Sequence, residues 1–257
     1  MNFIQSIILG VVEGITEFLP ISSTGHLILS SRLLNLPSSE FLTSFEITIQ
    51  LGAILAVVAL YWRSLLIKLE VIKRVVVAFI PTAVVGLLLY KFIKQFLLSS
   101  ETVVLWSLFI GGIILIVFEI IHKEKPEAVL DITQISYKQS LIIGLFQSLA
   151  VVPGVSRAAA TMVGGLVLGL RRRTIVEFSF LLAVPTMLAA TGWDLIQNAS
   201  SFSADQFGWL AVGLVVSFVT ALISVKWLLN YIQKNTFIAF GVYRIALAIL
   251  FWWLVIK

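Results

Sequence analysis

The sequence predicts an all-α polytopic membrane protein. Hydrophobic residues make up 60% of the 257 positions, and only 12% are charged, about half the charged fraction of a typical soluble domain. Six apolar segments are long enough to cross a bilayer, and two more apolar stretches are broken near their middle by proline and small polar residues. These observations exclude an ordinary soluble enzyme.

The helices expected to cross the membrane follow directly from the apolar runs. They are residues 43–62, 75–96, 102–121, 174–196, 208–229 and 236–256. The two broken stretches, 3–36 and 139–170, are interrupted at Pro20 and Pro153. Non-helical backbone persists at membrane depth only when it is buried in protein or lines a wet cavity, so each stretch is expected to be a re-entrant helical hairpin.

The sequence also indicates an inverted-topology repeat within one membrane domain, residues 1–257. Aligning Gly10 with Gly144 places Ser22 on Ser156 and Ser23 on Arg157. A first repeat, 1–121, and a second, 135–257, then each contain a hairpin and three spans, and an odd number of crossings inverts the second copy. The alternative is that two apolar sequences align through composition alone.

The basic residues predict the orientation. With both termini on one side, the opposite side holds most of the cationic residues, namely Arg63, Lys68, Lys73, Arg74, Lys123, Lys125, Lys138, Arg171, Arg172, Arg173, Lys226 and Lys234. The terminal side holds only Arg32, Lys91, Lys94 and Lys257. By the positive-inside rule the termini and the mouth of the first hairpin face outwards, and the basic charge indicates topology, not nucleic-acid binding.

Two acidic residues, Glu13 and Glu17, lie on one helix face just before the first break. Each costs about 2.5–3.5 kcal/mol at that depth on insertion scales, so the pair needs a compensating metal ion, proton or arginine. The chain has no cysteine and two histidines, which favours oxygen ligands and a divalent cation such as Mg²⁺ or Ca²⁺. The alternative is a carboxylate pair that faces outside water.

Three small polar residues and a histidine follow the first break. Ser22, Ser23 and Thr24 lie where a half-helix begins, and its free N–H groups favour an anion such as phosphate. His26 is three residues after Ser23 and is expected to act on a serine hydroxyl or a bound water. The alternative function of the Ser-Ser-Thr run is simple N-capping.

The second break carries an arginine. Ser156 and Arg157 begin the next half-helix, and Thr161 lies one turn further on. A guanidinium in this position predicts a phosphate clamp flanked by hydroxyls, although an arginine that only pairs with Glu13 or Glu17 explains it too. No function is assigned to the remaining intramembrane polar residues, namely Glu46, Gln50, Glu119, Glu177, Asp194 and Arg244.

These motifs resemble those of the undecaprenyl-diphosphate phosphatase family, also called the bacitracin-resistance protein family. The resemblance is carried by the segment from Glu13 to His26, EGITEFLPISSTGH, and by PGVSR, which ends at Arg157. It implies a bacterial plasma-membrane enzyme that removes the terminal phosphate of undecaprenyl diphosphate, a polyprenyl lipid. The family's functional motifs would fall, in chain order, on Glu13 and Glu17, on Ser23 and His26, and on Ser156, Arg157 and Thr161. Ala158 and Ala159 stand where the family often has Ser-Gly.

Two mechanisms and a second function stay open from the sequence. Ser23, activated by His26, would attack the terminal phosphorus, or His26 or Glu17 would activate a water while Ser23 only binds phosphate. A secondary transporter or flippase would use the same broken helices, with Glu13, Glu17 and Arg157 serving proton-coupled movement of an anion or lipid phosphate. A homodimer is also left open, because oligomeric state leaves no mark in the sequence.

Overall fold

The chain folds into helices throughout the part that the structure describes. A computed structural model describes residues 1–92, 100–124, 127–198 and 203–255, which contain no β-strand. The α-helices are α1 Phe3–Thr16, α2 Ser23–Leu33, α3 Glu40–Leu66, α4 Leu69–Phe92, α5 Glu101–Ile121, α6 Tyr137–Ser148, α7 Arg157–Val167, α8 Arg172–Asn198, α9 Ala204–Tyr231 and α10 Ile238–Val255. Short 3₁₀ helices occur at Ile132–Gln134 and Leu149–Val151.

Long apolar helices confirm that the protein is built for a membrane. Five of them are long and apolar enough to cross, namely Glu40–Leu65, Leu69–Leu89, Glu101–Ile121, Arg172–Ile196 and Gln206–Tyr231. The sixth expected span corresponds to α10, whose apolar part, Ile238–Trp253, is shorter. The sixth crossing therefore stays a prediction. The ends of the expected spans 75–96 and 236–256 lie outside the described residues, as do Lys94, Lys125 and Lys257 of the charge argument.

Both broken stretches form pairs of short helices. The first break separates α1 from α2, and the second separates α6 from α7, with the 3₁₀ turn Leu149–Val151 before it. None of these four helices exceeds 14 residues, which is too short to cross a hydrocarbon core of about 30 Å at 1.5 Å per residue. They fit the expected hairpins in length, whereas entry and exit on one face of a bilayer stays a prediction.

Each hairpin packs against a long helix of the other half of the chain. Helix α1 lies along α9, and α6 lies along α4, while α3 packs on α8 and α5 on α10. Small residues allow the first two contacts: a Cβ on Gly10 would stand 2.7 Å from the Gly213 carbonyl oxygen, and one on Gly144 would stand 2.1 Å from that of Ala78. Each hairpin is thereby held against a long helix from the other half of the chain.

The two hairpins share local details. Asn2 and Ser136 each begin a half-helix with a capping box, whose partner glutamine is Gln5 in one and Gln139 in the other. The amide nitrogen of Gln5 donates to the Leu34 carbonyl at 3.4 Å, and that of Gln139 donates to the Leu168 carbonyl at 3.1 Å. Because such details are not dictated by apolar composition, they support a duplicated hairpin.

Several intramembrane acidic residues have local partners. Glu46 accepts a hydrogen bond from Ser31 at 2.6 Å, and Glu119 pairs with Arg172. Glu177 is paired with Arg173 one turn before it in α8, at 2.9 Å. These contacts fit structural roles.

Candidate active site

The two helix breaks meet at one place in the fold. Their backbones take nearly the same unusual conformation: φ is 72° at Ser22 and 73° at Ser156, values that L-residues seldom adopt. Each serine caps the following half-helix, since the Ser22 hydroxyl accepts from the Gly25 N–H and the Ser156 hydroxyl from the Ala159 N–H. Strained non-glycine backbone of this kind costs on the order of 1–3 kcal/mol and concentrates at functional sites.

Glu17 connects the two half-helix starts. Its carboxylate accepts a hydrogen bond of 2.5 Å from the Ser23 hydroxyl and one of 2.6 Å from the Arg157 guanidinium. Glu17 and Ser23 are buried and Arg157 nearly so, which strengthens such charge-assisted bonds. A carboxylate bonded to a serine hydroxyl is placed to accept its proton, and the arginine beside them supplies positive charge.

One N–H donor of Arg157 has no hydrogen-bond partner among the described residues. Its Nη1 donates to the Ser179 carbonyl at 3.0 Å, and the guanidinium carbon lies 5.6 Å from the ring centroid of Phe18. Within the described part of the chain, Nε is buried without a hydrogen-bond partner. Since an unpaired buried donor is costly, this atom favours an acceptor such as a phosphate oxygen.

Thr161 contacts the residue that accepts a hydrogen bond from Arg157. It is fully buried, and its hydroxyl lies 2.6 Å from that of Ser179, the residue whose carbonyl receives Arg157. Thr24, by contrast, lies half-buried in the first turn of α2, beside Ser23. The contacts of Thr161 therefore hold the arginine in place, and Thr24 is on the turn that bears the serine.

Glu13 is an uncompensated carboxylate. It is fully buried one turn before Glu17, and neither of its oxygens has a hydrogen-bond partner among the described residues. A group in this state binds either a proton or a cation. The described residues contain no cluster of three or more His, Cys, Asp or Glu, so a cation there would take phosphate or water oxygens as further ligands.

His26 has different partners from those expected. The sequence suggested that it acts on a serine hydroxyl or a bound water; Nδ1 lies 2.7 Å from the Ser22 carbonyl and Nε2 lies 2.7 Å from the Tyr243 hydroxyl, and its action on a water stays a prediction. The hydroxyl of Ser23 donates to Glu17 instead. The structure thus brings Ser23, Glu17 and Arg157 into direct contact and places His26 behind the same turn.

Sequence reasoning missed Arg244. This arginine is fully buried in α10, and all its hydrogen bonds within the described residues go to backbone carbonyls: those of Pro20, Gly154 and Val155 in the two breaks, and those of Ser107 and Leu108 in α5. An arginine alone in an apolar helix must have partners, but backbone acceptors leave no mark in a sequence. Tyr243, its neighbour, was missed because its hydroxyl contacts the ring of His26, 217 positions away in the sequence.

Comparisons with known proteins agree with these motifs. The family model described as bacitracin resistance protein BacA matches residues 6–250. A protein of Aquifex aeolicus named undecaprenyl-diphosphatase is 50% identical over 96% of each chain. Proteins of the same name from Sulfurihydrogenibium sp. and Wolinella succinogenes are 50% and 49% identical over 98% of this chain, and over 99% and 97% of their own.

Removing the Arg244 guanidinium is expected to unfold the site. In Arg244→Met several buried carbonyls lose their donor at about 1–3 kcal/mol each, so we expect a loss of about 3 kcal/mol or more in unfolding free energy. Arg32→Met is the control, because its 3.6 Å ion pair with Glu101 is largely exposed and is worth about 0–1 kcal/mol. Thermal unfolding in detergent measures both, and equal midpoints for the two variants would contradict this role.

Proposed function

The chain belongs to the bacitracin resistance protein BacA family, and on that premise we propose that it is an undecaprenyl-diphosphatase. The enzyme hydrolyses undecaprenyl diphosphate to undecaprenyl phosphate and inorganic phosphate, which recycles the lipid carrier for cell-wall synthesis and confers bacitracin resistance. The observation that carries the proposal is the carboxylate of Glu17, bonded to Ser23 at one break and to Arg157 at the other. Phosphoryl transfer depends on such positioning and on charge stabilisation.

The diphosphate would bind between the two breaks. The N-termini of α2 and α7 begin there and offer backbone N–H groups to an anion, with Ser22, Thr24 and Ser156 in or next to the first turns. The Nε of Arg157, which has no hydrogen-bond partner among the described residues, supports a guanidinium contact to a phosphate oxygen. The polyprenyl chain would lie among the apolar helices, in contact with membrane lipid.

A divalent cation, Mg²⁺ or Ca²⁺, would be held by Glu13 and Glu17. The donor set fits, because the two unpaired oxygens of Glu13 are hard ligands at the level of the phosphate site. When bound, the ion would neutralise charge on the phosphate oxygens. In this arrangement Arg157 would orient the phosphate, and Glu17 would accept the proton of Ser23.

We favour Ser23 as the nucleophile, with Glu17 as its base. The Ser23 oxygen would bond to the terminal phosphorus while its proton passes to Glu17, and the bond to the bridging oxygen would break to release undecaprenyl phosphate. Water would then cleave the phosphoserine. The hydrogen bond of 2.5 Å between Ser23 and Glu17 supports this order over activation by His26. The water mechanism makes Glu17 or His26 the base and Ser23 a phosphate ligand.

We also propose that the two halves form an inverted repeat in the bacterial plasma membrane, with the termini and the site mouth outside. The shared capping boxes and the matched backbone of Ser22 and Ser156 support duplication. The charge asymmetry supports the orientation. Whether two copies associate as a homodimer stays a prediction.

Phosphate release tests the function. Purified protein with undecaprenyl diphosphate should release phosphate, stop in EDTA and resume on adding Mg²⁺ or Ca²⁺. Arg157→Ala should lower kcat/KM by about 10²-fold or more, since it removes a preorganised charge. The exposed Arg63→Ala is a control that should stay active. No release from folded protein that binds the lipid would favour the transporter.

Substituting the serine separates the two mechanisms. Ser23→Ala should lose turnover by about 10³-fold, because the nucleophile is removed. Acid quenching with substrate labelled at the terminal phosphate should leave label on the unaltered protein and none on the variant. Near-normal turnover by Ser23→Ala would instead establish water as the nucleophile.

Single cysteines test the orientation, because the chain has none of its own. Ser38→Cys, in the exposed loop after α2, should react with a membrane-impermeant maleimide in intact cells. Asn235→Cys, in the exposed loop before α10, should react only after permeabilisation, since it lies on the basic side. The reverse pattern would place the site mouth in the cytoplasm.

A further inference from the structure

Helix α10 places a tyrosine directly on the histidine of the site. The Tyr243 hydroxyl lies 2.7 Å from Nε2 of His26, and the two rings are nearly parallel, 4° apart in orientation with centroids separated by 5.5 Å. His26 is 8% exposed and Tyr243 43% exposed. The tyrosine therefore lies between the buried imidazole and the exposed surface of the protein.

The partners of the imidazole fix its tautomer. The Ser22 carbonyl can only accept, so Nδ1, 2.7 Å away, carries the proton. In a neutral imidazole Nε2 is then the acceptor, and the Tyr243 hydroxyl donates to it. The Ser22 carbonyl thus sets the tautomer, and the Tyr243 hydroxyl, which can donate or accept, fits it as a donor.

The orientation of the ring is coupled to the serine turn. The Ser22 carbonyl accepts from the backbone N–H of His26 at 3.2 Å as well as from its ring. Ser22 also has the unusual φ of 72° and precedes Ser23. A ring held from one side by Ser22 needs a second contact to stop rotation about its χ angles, and Tyr243 supplies that contact.

We propose that Tyr243 is a positioning residue for His26. It holds Nε2 as an acceptor, pointing away from the Ser22 carbonyl, until a phosphate hydroxyl or water of the reaction replaces the tyrosine hydroxyl. This inference rests on the proposed phosphatase function for its kinetic consequence, whereas the tautomer does not depend on it.

The tautomer is measured without any turnover. Only His26 and His122 occur in the chain, so His122→Gln protein grown with ¹⁵N-histidine contains one labelled imidazole. We expect one protonated nitrogen and one hydrogen-bonded acceptor nitrogen. In Tyr243→Phe, which keeps the ring and removes the hydroxyl, the acceptor resonance should move to the position of an imidazole nitrogen without a donor. Unchanged resonances would overturn the contact.

A double-mutant cycle tests the effect on catalysis. Tyr243→Phe should lower kcat about tenfold with little change in KM, a part of the 10²–10⁴-fold that acid–base groups contribute. In a His26→Ala background the same substitution should have little effect, because its target is gone. Tyr231→Phe, on α9 beside Trp227, is the matched control and should keep normal kcat.

An equal loss in both backgrounds would overturn the positioning role. An inactive unaltered protein would refute the phosphatase function instead, while the ¹⁵N resonances would still decide the contact between Tyr243 and His26.

Discussion

The fold depends on supplying donors to the buried backbone carbonyls that two helix breaks leave open. Apolar surroundings offer no hydrogen bonds, so such carbonyls need protein donors. Arg244 provides them for both breaks at once, through Pro20 on one side and Gly154 and Val155 on the other, and it joins them to α5 through Ser107 and Leu108. One guanidinium therefore sets the distance between the two half-helix starts, and the contacts of Glu17 follow from that distance.

The charged residues of the site are placed so that a bound diphosphate and a cation could replace their present contacts. Glu17 pairs with Arg157, whereas Glu13 has no hydrogen-bond partner among the described residues, so this site has two carboxylates and one paired arginine. A bound diphosphate with a cation would balance this: the anion competes with Glu17 for Arg157, and the cation compensates the carboxylates. Glu17 would then exchange the arginine for the cation while it still accepts the hydrogen bond of Ser23. In the proposed mechanism, diphosphate binding and the orientation of Ser23 are thus linked by one carboxylate.

The sequence predicted the class of the fold and the position of the breaks, because apolar runs and prolines act locally. It also placed Ser23, Glu17 and Arg157 among the functional residues, since each is costly or unusual at that depth. It did not predict that Ser23 pairs with Glu17. The spacing of Ser23 and His26 suggested a serine–histidine contact, whereas the ring of His26 is directed to the Ser22 carbonyl, and a side-chain orientation of this kind cannot be read from residue spacing. Tyr243 and Arg244 escaped detection for a related reason: they contact residues more than 80 positions away, and the acceptors of Arg244 are backbone atoms of no particular residue type.

The matched breaks explain why the site needs two different halves. Their backbones are alike, so two identical breaks would give two equal anion sites with no base and no counter-charge. At aligned positions the side chains differ: Ser23 corresponds to Arg157, and Glu13 to Gln147, whose amide bonds to Thr82 at 2.8 Å. One half thus contributes the hydroxyl and the carboxylates, and the other contributes the cation. In the proposed mechanism, this difference would place the nucleophile and the base on one side of the phosphate and the arginine clamp on the other.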